Sequence, residues 1–148
     1  MPVSHHLLLC ATPSKALCCP DPAIGTASWA ALKRLVRELG LEDPARPGGI
    51  VLRTKADCLR VCAEGPVLLI WPEGVVYGGV TPERIERIVR EHVIGGRYVG
   101  EWVVQRYQLQ VQPTAYKAPV RPLQRKHAGS SRHPPASHPA PRPSAQLP

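Results

Sequence analysis

Five cysteines are the residues of this chain best suited to chemistry, and they fall into two groups. The first group is Cys10, Cys18 and Cys19, and the second is the pair Cys58 and Cys62. Thiolate sulfur binds zinc and iron-sulfur clusters, and two neighbouring thiols can also carry electrons as a disulfide. An odd number of cysteines argues against a framework in which every cysteine is paired in a disulfide.

The spacing within each group bears on which of these chemistries is possible. Three residues separate Cys58 from Cys62, which fits zinc, but seven or eight separate Cys10 from Cys18 or Cys19. The wider spacing is better suited to a two-iron cluster, whose ligands serve two metal ions. A dithiol enzyme is disfavoured because there is no Cys-x-x-Cys and because adjacent cysteines form a strained disulfide.

Two predicted strands lead into the cysteine groups. Residues 5–9 are an apolar run that predicts a buried strand ending at Cys10, and residues 50–53 predict a strand before Cys58 and Cys62. If these strands are neighbours in one sheet, both cysteine loops leave it at the same end. The sequence therefore predicts that two pairs of cysteines converge, with zinc and iron-sulfur chemistry both open.

Two predicted helices flank this site. Residues 11–27 contain three prolines and a glycine, which predicts a long loop, and Ser28 is the predicted cap of a helix that ends at Gly40. Thr81, followed by Pro82-Glu83, predicts the start of a second helix that ends at Gly95. Each helix has one apolar stripe, as expected when it packs on a sheet.

The remaining strands complete an α/β fold. Residues 66–72 predict a central strand that is apolar on both faces, and a tight turn leads to a strand at 75–80. Residues 98–104 predict an edge strand or a surface segment. The order is strand, helix, strand, strand, strand, helix, which is the thioredoxin-like order: a sheet of four or five strands with two packed helices.

Composition divides the chain into two predicted parts. Residues 113–148 hold nine of the eighteen prolines and six Lys or Arg, with no Asp or Glu. This segment has few apolar residues, which predicts a disordered, Pro-rich basic tail. Residues 1–112 are the predicted folded domain, and their 13 basic and 11 acidic residues give a net charge of +2. Because the excess charge lies in the tail, we do not expect a nucleic-acid-binding domain.

No signal peptide or membrane span is predicted. The start of the chain has a short apolar run without a preceding Lys or Arg, and no stretch is long enough to cross a bilayer. A cytoplasmic location is therefore expected, where cysteines are thiols, metal ligands or redox centres. His5, His6 and His92 are predicted to pack rather than to bind metal, and no Ser/His/Asp set or phosphate-binding glycine loop indicates an enzyme.

The second half of the domain resembles a known family. The thioredoxin-like 2Fe-2S ferredoxins, with related domains in NADH dehydrogenases and hydrogenases, have a C-terminal half similar to CLRVCAEGPVLLIWPEGVVYGGVTPERIERIVREHVIGGRYV. The first strand matches the N-terminal half more loosely, so the resemblance covers about residues 5–104. The matching pattern consists of Cys58, Cys62, Gly65-Pro66, Pro72-x-Gly74, Tyr77-Gly78, Val80, Pro82-Glu83 and Gly95-Gly96.

The resemblance implies one 2Fe-2S cluster, held by two cysteines from each loop. The implied ligands are Cys10, Cys19, Cys58 and Cys62, with Cys18 as the substitute for Cys19. It also implies one-electron transfer to redox partner proteins, no catalysis of its own and a possible homodimer. The alternative is a non-catalytic iron-sulfur or zinc-binding subunit that docks on a larger redox enzyme through its basic tail.

Overall fold

A five-stranded mixed sheet is the centre of the described residues, which are 1–12, 19, 21–62 and 64–110 of a computed structural model. The strands are β1 Val3–Cys10, β2 Ile50–Ala56, β3 Val67–Trp71, β4 Val75–Tyr77 and β5 Val103–Arg106. The helices are α1 Pro22–Glu38 and α2 Pro82–Ile88, and α2 continues as a π-helical segment, Val89–Ile94. The strand order is β2-β1-β3-β4-β5, so β2 and β5 are the edges. The predicted α/β class is confirmed.

β1 and β2 run parallel, and this pairing decides where the cysteines lie. Cys10 and Ala56 are the last residues of their strands and are in register with each other. Parallel strands have their carboxyl ends at the same end of a sheet. The segments that follow Cys10 and Ala56 therefore leave the sheet side by side. The prediction that the two cysteine loops leave the same end of the sheet is confirmed.

β3 pairs with β1 on the other side and is buried on both faces. Leu68 and Ile70 pack in the core beneath the helices, whereas Val67 and Leu69 pack on the opposite face, together with Cys10. A fully buried aliphatic side chain contributes on the order of 1.5–3 kcal/mol. β3 therefore anchors both faces of the sheet, as predicted for a central strand.

α1 begins earlier than the sequence predicts. Its first residue is Pro22, and the Asp21 carboxylate accepts a hydrogen bond from the Ala23 amide at 2.8 Å. The predicted loop at residues 11–27 is therefore wrong over its last third, and the predicted cap at Ser28 is wrong. Pro22 is compatible with a helix because the first turn has no intrahelical partner for its missing N–H.

Close contact between helix and sheet explains the other residues that predicted a loop. A Cβ on Gly25 would lie 1.6 Å from the Ala11 carbonyl oxygen, so only glycine lets α1 approach the end of β1. Ser28 is buried within the helix and donates a hydrogen bond to the Val80 carbonyl at 2.7 Å. The glycine and the serine are thus contacts between elements rather than a loop and a cap.

α2 begins as predicted. The Thr81 hydroxyl accepts a hydrogen bond from the Arg84 amide at 3.4 Å, and Pro82 occupies the first helical position. The helical path reaches Ile94 and ends at Gly95, but its last six residues form the π-helical segment. The predicted apolar stripe is buried and consists of Ile85, Ile88, Val89 and Val93.

The last two strands differ in length from their predictions. β4 ends at Tyr77, three residues earlier than predicted, because residues 78–80 form a turn. β5 confirms the predicted edge strand but covers Val103–Arg106 rather than 98–104. Within the described part of the chain, no helix has the length and apolar character of a membrane span. The predicted tail at 113–148 lies outside the described residues, so its disorder and the domain boundary at 112 stay predictions.

Candidate metal centre

Cys10 is the least exposed of the four described cysteines. It ends β1 with Ala56 opposite it on one side and Val67 on the other, and it is only 2% exposed. Its thiol donates a hydrogen bond to the Asp57 carbonyl at 3.2 Å. Asp57 directly precedes Cys58, so the first cysteine already contacts the loop that holds the second pair.

Cys58 and Cys62 lie on a loop that follows β2, and both are exposed. Leu59 and Val61, the apolar residues between them, are half-buried against the outer face of the sheet. Packing of these two side chains holds the loop on the sheet while the thiols remain at the surface.

A backbone N–H is directed at the Cys58 sulfur. Arg60 has a positive φ of 57°, in the left-handed region, and its amide donates to Cys58 Sγ at 3.3 Å. Hydrogen bonds of this kind stabilise sulfur in its thiolate form and tune the potential of a bound metal. No residue type predicts this contact, since neither Arg60 nor its neighbours is glycine or asparagine.

Cys19 lies two residues before the cap of α1 and is buried. Its thiol donates a hydrogen bond to the Asp21 carbonyl at 3.0 Å, within its own segment. Cys18, its predicted substitute, is outside the described residues. Among the described residues, no three His, Cys, Asp or Glu side chains are grouped closely enough to hold a metal ion. The structure thus brings Cys10 into contact with the loop that carries Cys58 and Cys62, but no three of the described cysteines form a metal-binding group.

The chemistry of the donor set still fits an iron-sulfur cluster. Four of the five cysteines are described. Three of them, Cys10, Cys58 and Cys62, lie at the end of the sheet where β1 and β2 finish. The thiols of Cys10 and Cys19 each donate a hydrogen bond to a backbone carbonyl. To ligate a metal, both thiols would release their protons to solvent, and their thiolates would serve as ligands.

A second polar cluster lies near the opposite end of β1, and the sequence did not predict it. His92 is 1% exposed and its Nδ1 is 2.9 Å from the Tyr77 hydroxyl. His5 Nε2 is 3.3 Å from a Glu73 oxygen, and the other Glu73 oxygen is 3.8 Å from His92 Nε2. Burial lowers the pKa of His92, and the nearby Glu73 carboxylate opposes this shift. The histidines pack with polar partners, in agreement with their predicted role.

Comparison with known proteins identifies relatives of this chain. No family model matches it. A putative 2Fe-2S ferredoxin from Priestia megaterium is 30% identical over 103 residues, which are 70% of this chain and 72% of that protein. The chain belongs to the 2Fe-2S ferredoxin family.

Other 2Fe-2S ferredoxins match a shorter part of the chain. One from Aquifex aeolicus is 40% identical over 53 residues, or 36% of this chain. That ferredoxin and one from Clostridium pasteurianum are matched over 48% of their own lengths, so the chain spans about half of each. The solved structure of a thioredoxin-like [2Fe-2S] ferredoxin from Aquifex aeolicus superposes with a TM-score of 0.58 at 23% identity. It covers 73% of this chain and 96% of the other, which confirms the predicted thioredoxin-like fold.

Proposed function

We propose that this chain is a one-electron carrier that binds a single 2Fe-2S cluster. The ligands would be Cys10, Cys58, Cys62 and one cysteine of the 18–19 pair, two from each loop. The observation that carries the proposal is the parallel pairing of β1 and β2, which brings Cys10 within a hydrogen bond of the second cysteine loop. Membership of the 2Fe-2S ferredoxin family supports the same conclusion.

Cys19 is our preferred fourth ligand. It lies two residues before the cap of α1, and its thiol donates a hydrogen bond to the Asp21 carbonyl. Binding of a metal by Cys19 would replace that hydrogen bond. Cys18 is the alternative.

The cluster would supply one-electron transfer, since its irons change oxidation state while the thiolates stay bound. The chain would set the conditions for that transfer. Cys10 holds one side of the site in the buried sheet, and exposed Cys58 and Cys62 hold the other side at the surface, where a redox partner can approach. The Arg60 amide, which points at Cys58 Sγ, would stabilise negative charge on that sulfur. No part of this arrangement requires a catalytic residue, in keeping with a carrier.

The experiment that tests this proposal is metal analysis of the full chain after anaerobic reconstitution. We expect about two iron and two sulfide per chain, a visible spectrum that bleaches with dithionite, and an EPR signal from the reduced protein. Stoichiometric zinc without iron would contradict the proposal and favour the zinc-binding adaptor, which the Cys58-x3-Cys62 spacing permits.

Adjacent cysteines provide a matched pair of variants for the fourth ligand. We expect Cys19→Ser to lose the cluster or shift its EPR signal, while Cys18→Ser keeps the signal of the wild-type chain. The reverse result would make Cys18 the ligand. Retention of the cluster in the double variant, Cys18→Ser with Cys19→Ser, would contradict a site that takes its ligands from both loops. The homodimer, the cytoplasmic location and the identity of the redox partner remain predictions.

A further inference from the structure

A turn at residues 78–80, here called the 78–80 turn, joins the second cysteine loop to the rest of the fold. The Gly79 amide donates to the Glu64 carbonyl, two residues after Cys62, and the Val80 amide donates to the Pro66 carbonyl at 2.9 Å. Both acceptors belong to the segment between Cys62 and β3. The position of this segment therefore depends on the direction in which the amides of the turn point.

The turn also fits closely against its surroundings. A Cβ on Gly78 would lie 2.8 Å from Val104 Cγ1 and 3.3 Å from Glu64 Cβ. Gly79 has a φ of +56°, which side chains rarely allow, and its Cβ would lie 2.7 Å from Arg84 Nη1. Because no space separates the turn from the loop, a shift of one must displace the other.

Arg84 fixes the orientation of the turn from the opposite side. Its Nη1 donates to the Gly78 carbonyl at 3.4 Å and to the Gly79 carbonyl at 3.2 Å. The C=O of Gly78 and the N–H of Gly79 belong to one planar peptide unit, in which they point in opposite directions. The C=O of Gly79 and the N–H of Val80 are related in the same way. Each peptide unit is thus held between the Arg84 guanidinium and a carbonyl of the cysteine loop.

Trp102 holds the guanidinium in place. The Arg84 guanidinium lies 4.9 Å from the centre of the Trp102 ring, and the Trp102 carbonyl accepts a hydrogen bond from Gly78 at 3.0 Å. Stacking on an aromatic face fixes the plane of the arginine guanidinium, and the ammonium group of lysine has no such plane. Arg84 is therefore a fixed charged donor rather than a mobile surface side chain.

We propose that Arg84 is a positioning residue for the loop of Cys58 and Cys62, acting through the two peptide units of the 78–80 turn. It holds the Gly79 and Val80 amides toward Glu64 and Pro66, and this holds the Cys62 end of the loop against the sheet. The expected effect of Arg84 on a bound cluster rests on the proposed function, whereas its expected effect on the position of the loop does not.

Arg87 provides the matched control, since it lies one turn further along the same helix. Its guanidinium also lies 4.9 Å from the Trp102 ring centre. Its hydrogen bonds go to Glu91, at 2.8 Å, and to Glu101, and among the described residues none goes to the 78–80 turn. Arg84→Leu and Arg87→Leu therefore remove the same charge and the same ring contact, but only the first removes the donor to the turn.

The first measurement is amide hydrogen exchange of the metal-free full chain. We expect Arg84→Leu to speed exchange at Gly79 and Val80 by about tenfold, the effect of losing a hydrogen bond to a charged group. Arg84→Lys should restore part of the protection because its ammonium can still donate. Arg87→Leu should leave both amides as in the wild-type chain. Exchange at Leu68 in β3 reports global unfolding and corrects each variant for overall stability.

The second measurement is the rate at which the reconstituted chain loses its visible absorbance in the presence of a chelator. We expect loss to be about tenfold faster in Arg84→Leu, the lower end of the effect of an outer partner of a metal ligand. Equal behaviour of Arg84→Leu and Arg87→Leu in both measurements would overturn the positioning role. Absence of a cluster from the wild-type chain would overturn the proposed function instead, while the exchange measurement would still decide the role of Arg84.

Discussion

His92 lies within the π-helical segment, buried against the sheet beside titratable and charged groups from several elements. Burial is the main cause of its lowered pKa, and the Glu73 carboxylate opposes the shift less strongly than burial imposes it. The unfolded chain therefore binds a proton at His92 in a pH range where the native chain does not. The groups that face it are His5, Glu73, Tyr77, Tyr98 and Arg106.

We expect the free energy of unfolding to fall as the pH drops below about 6.5, the ordinary histidine pKa, toward the lowered native value. Between these two values the slope reaches at most about 1.4 kcal/mol per pH unit from this one group. His92→Gln should flatten the curve, measured by urea unfolding of the metal-free chain. His6→Gln is the control, because the His6 ring bonds the Thr54 hydroxyl on β2. An unchanged slope in His92→Gln would contradict the assignment.

At the scale of elements, α1 approaches the end of β1 at Gly25. Among the described glycines, an added Cβ would lie closest to another atom at this position. Gly25 meets the carbonyl of Ala11, the residue after Cys10, so α1 presses on the position where the first cysteine loop begins. A side chain there must push the helix away from the strand. The resulting displacement would act on the stability of the fold and on the cysteine site together.

We expect Gly25→Ala to lower the free energy of unfolding by roughly 1–3 kcal/mol or more, the cost of overpacking, because the obstructing atom is backbone. Gly100→Ala is the matched control, since no atom lies within 4 Å of its added Cβ. That variant should change the stability by less than about 0.5 kcal/mol. The two are compared by urea unfolding, and equal stabilities would contradict the tight contact.

Elements were predictable where a single local pattern determined them. The apolar run of β3 and the Thr81-Pro82 start of α2 have strong local causes. The adjacency of the two strands that precede the cysteines was only a condition in the sequence, and the structure supplies it. The start of α1 was not predictable, because Pro22 and Gly25 also occur in loops. Only the approach of Ala11 shows that Gly25 is required within a helix.

Contacts within the candidate site were less predictable than its residues. The cysteine types and their spacing are visible in the sequence, but hydrogen bonds from backbone groups depend on three-dimensional orientation. Two examples are the hydrogen bond from the Arg60 amide to Cys58 Sγ and those from Arg84 to the carbonyls of the 78–80 turn. No pattern of residue types in the sequence predicts either of them. For the same reason, the sequence could not choose between Cys18 and Cys19.

At the scale of the whole molecule, charge is divided unevenly along the chain. Residues 1–112 are close to balanced at +2, whereas residues 113–148 have six basic and no acidic residues. We expect deletion of residues 113–148 to weaken the salt dependence of electron transfer to an acidic acceptor protein, because exposed charges are screened at about 10 Å in 0.1 M salt. Transfer rates across a salt series would measure this effect. The same salt dependence with and without the tail would contradict a tethering role.

The two edges of the sheet have a further consequence for contacts between copies of this chain. β2 carries Arg53 and Lys55 along its length, and β5 has only four residues and an irregular register against β4. Open strand edges can template strands of another chain, and charged, short or irregular edges hinder such pairing. Both edges of this sheet therefore hinder pairing with the strands of a second copy.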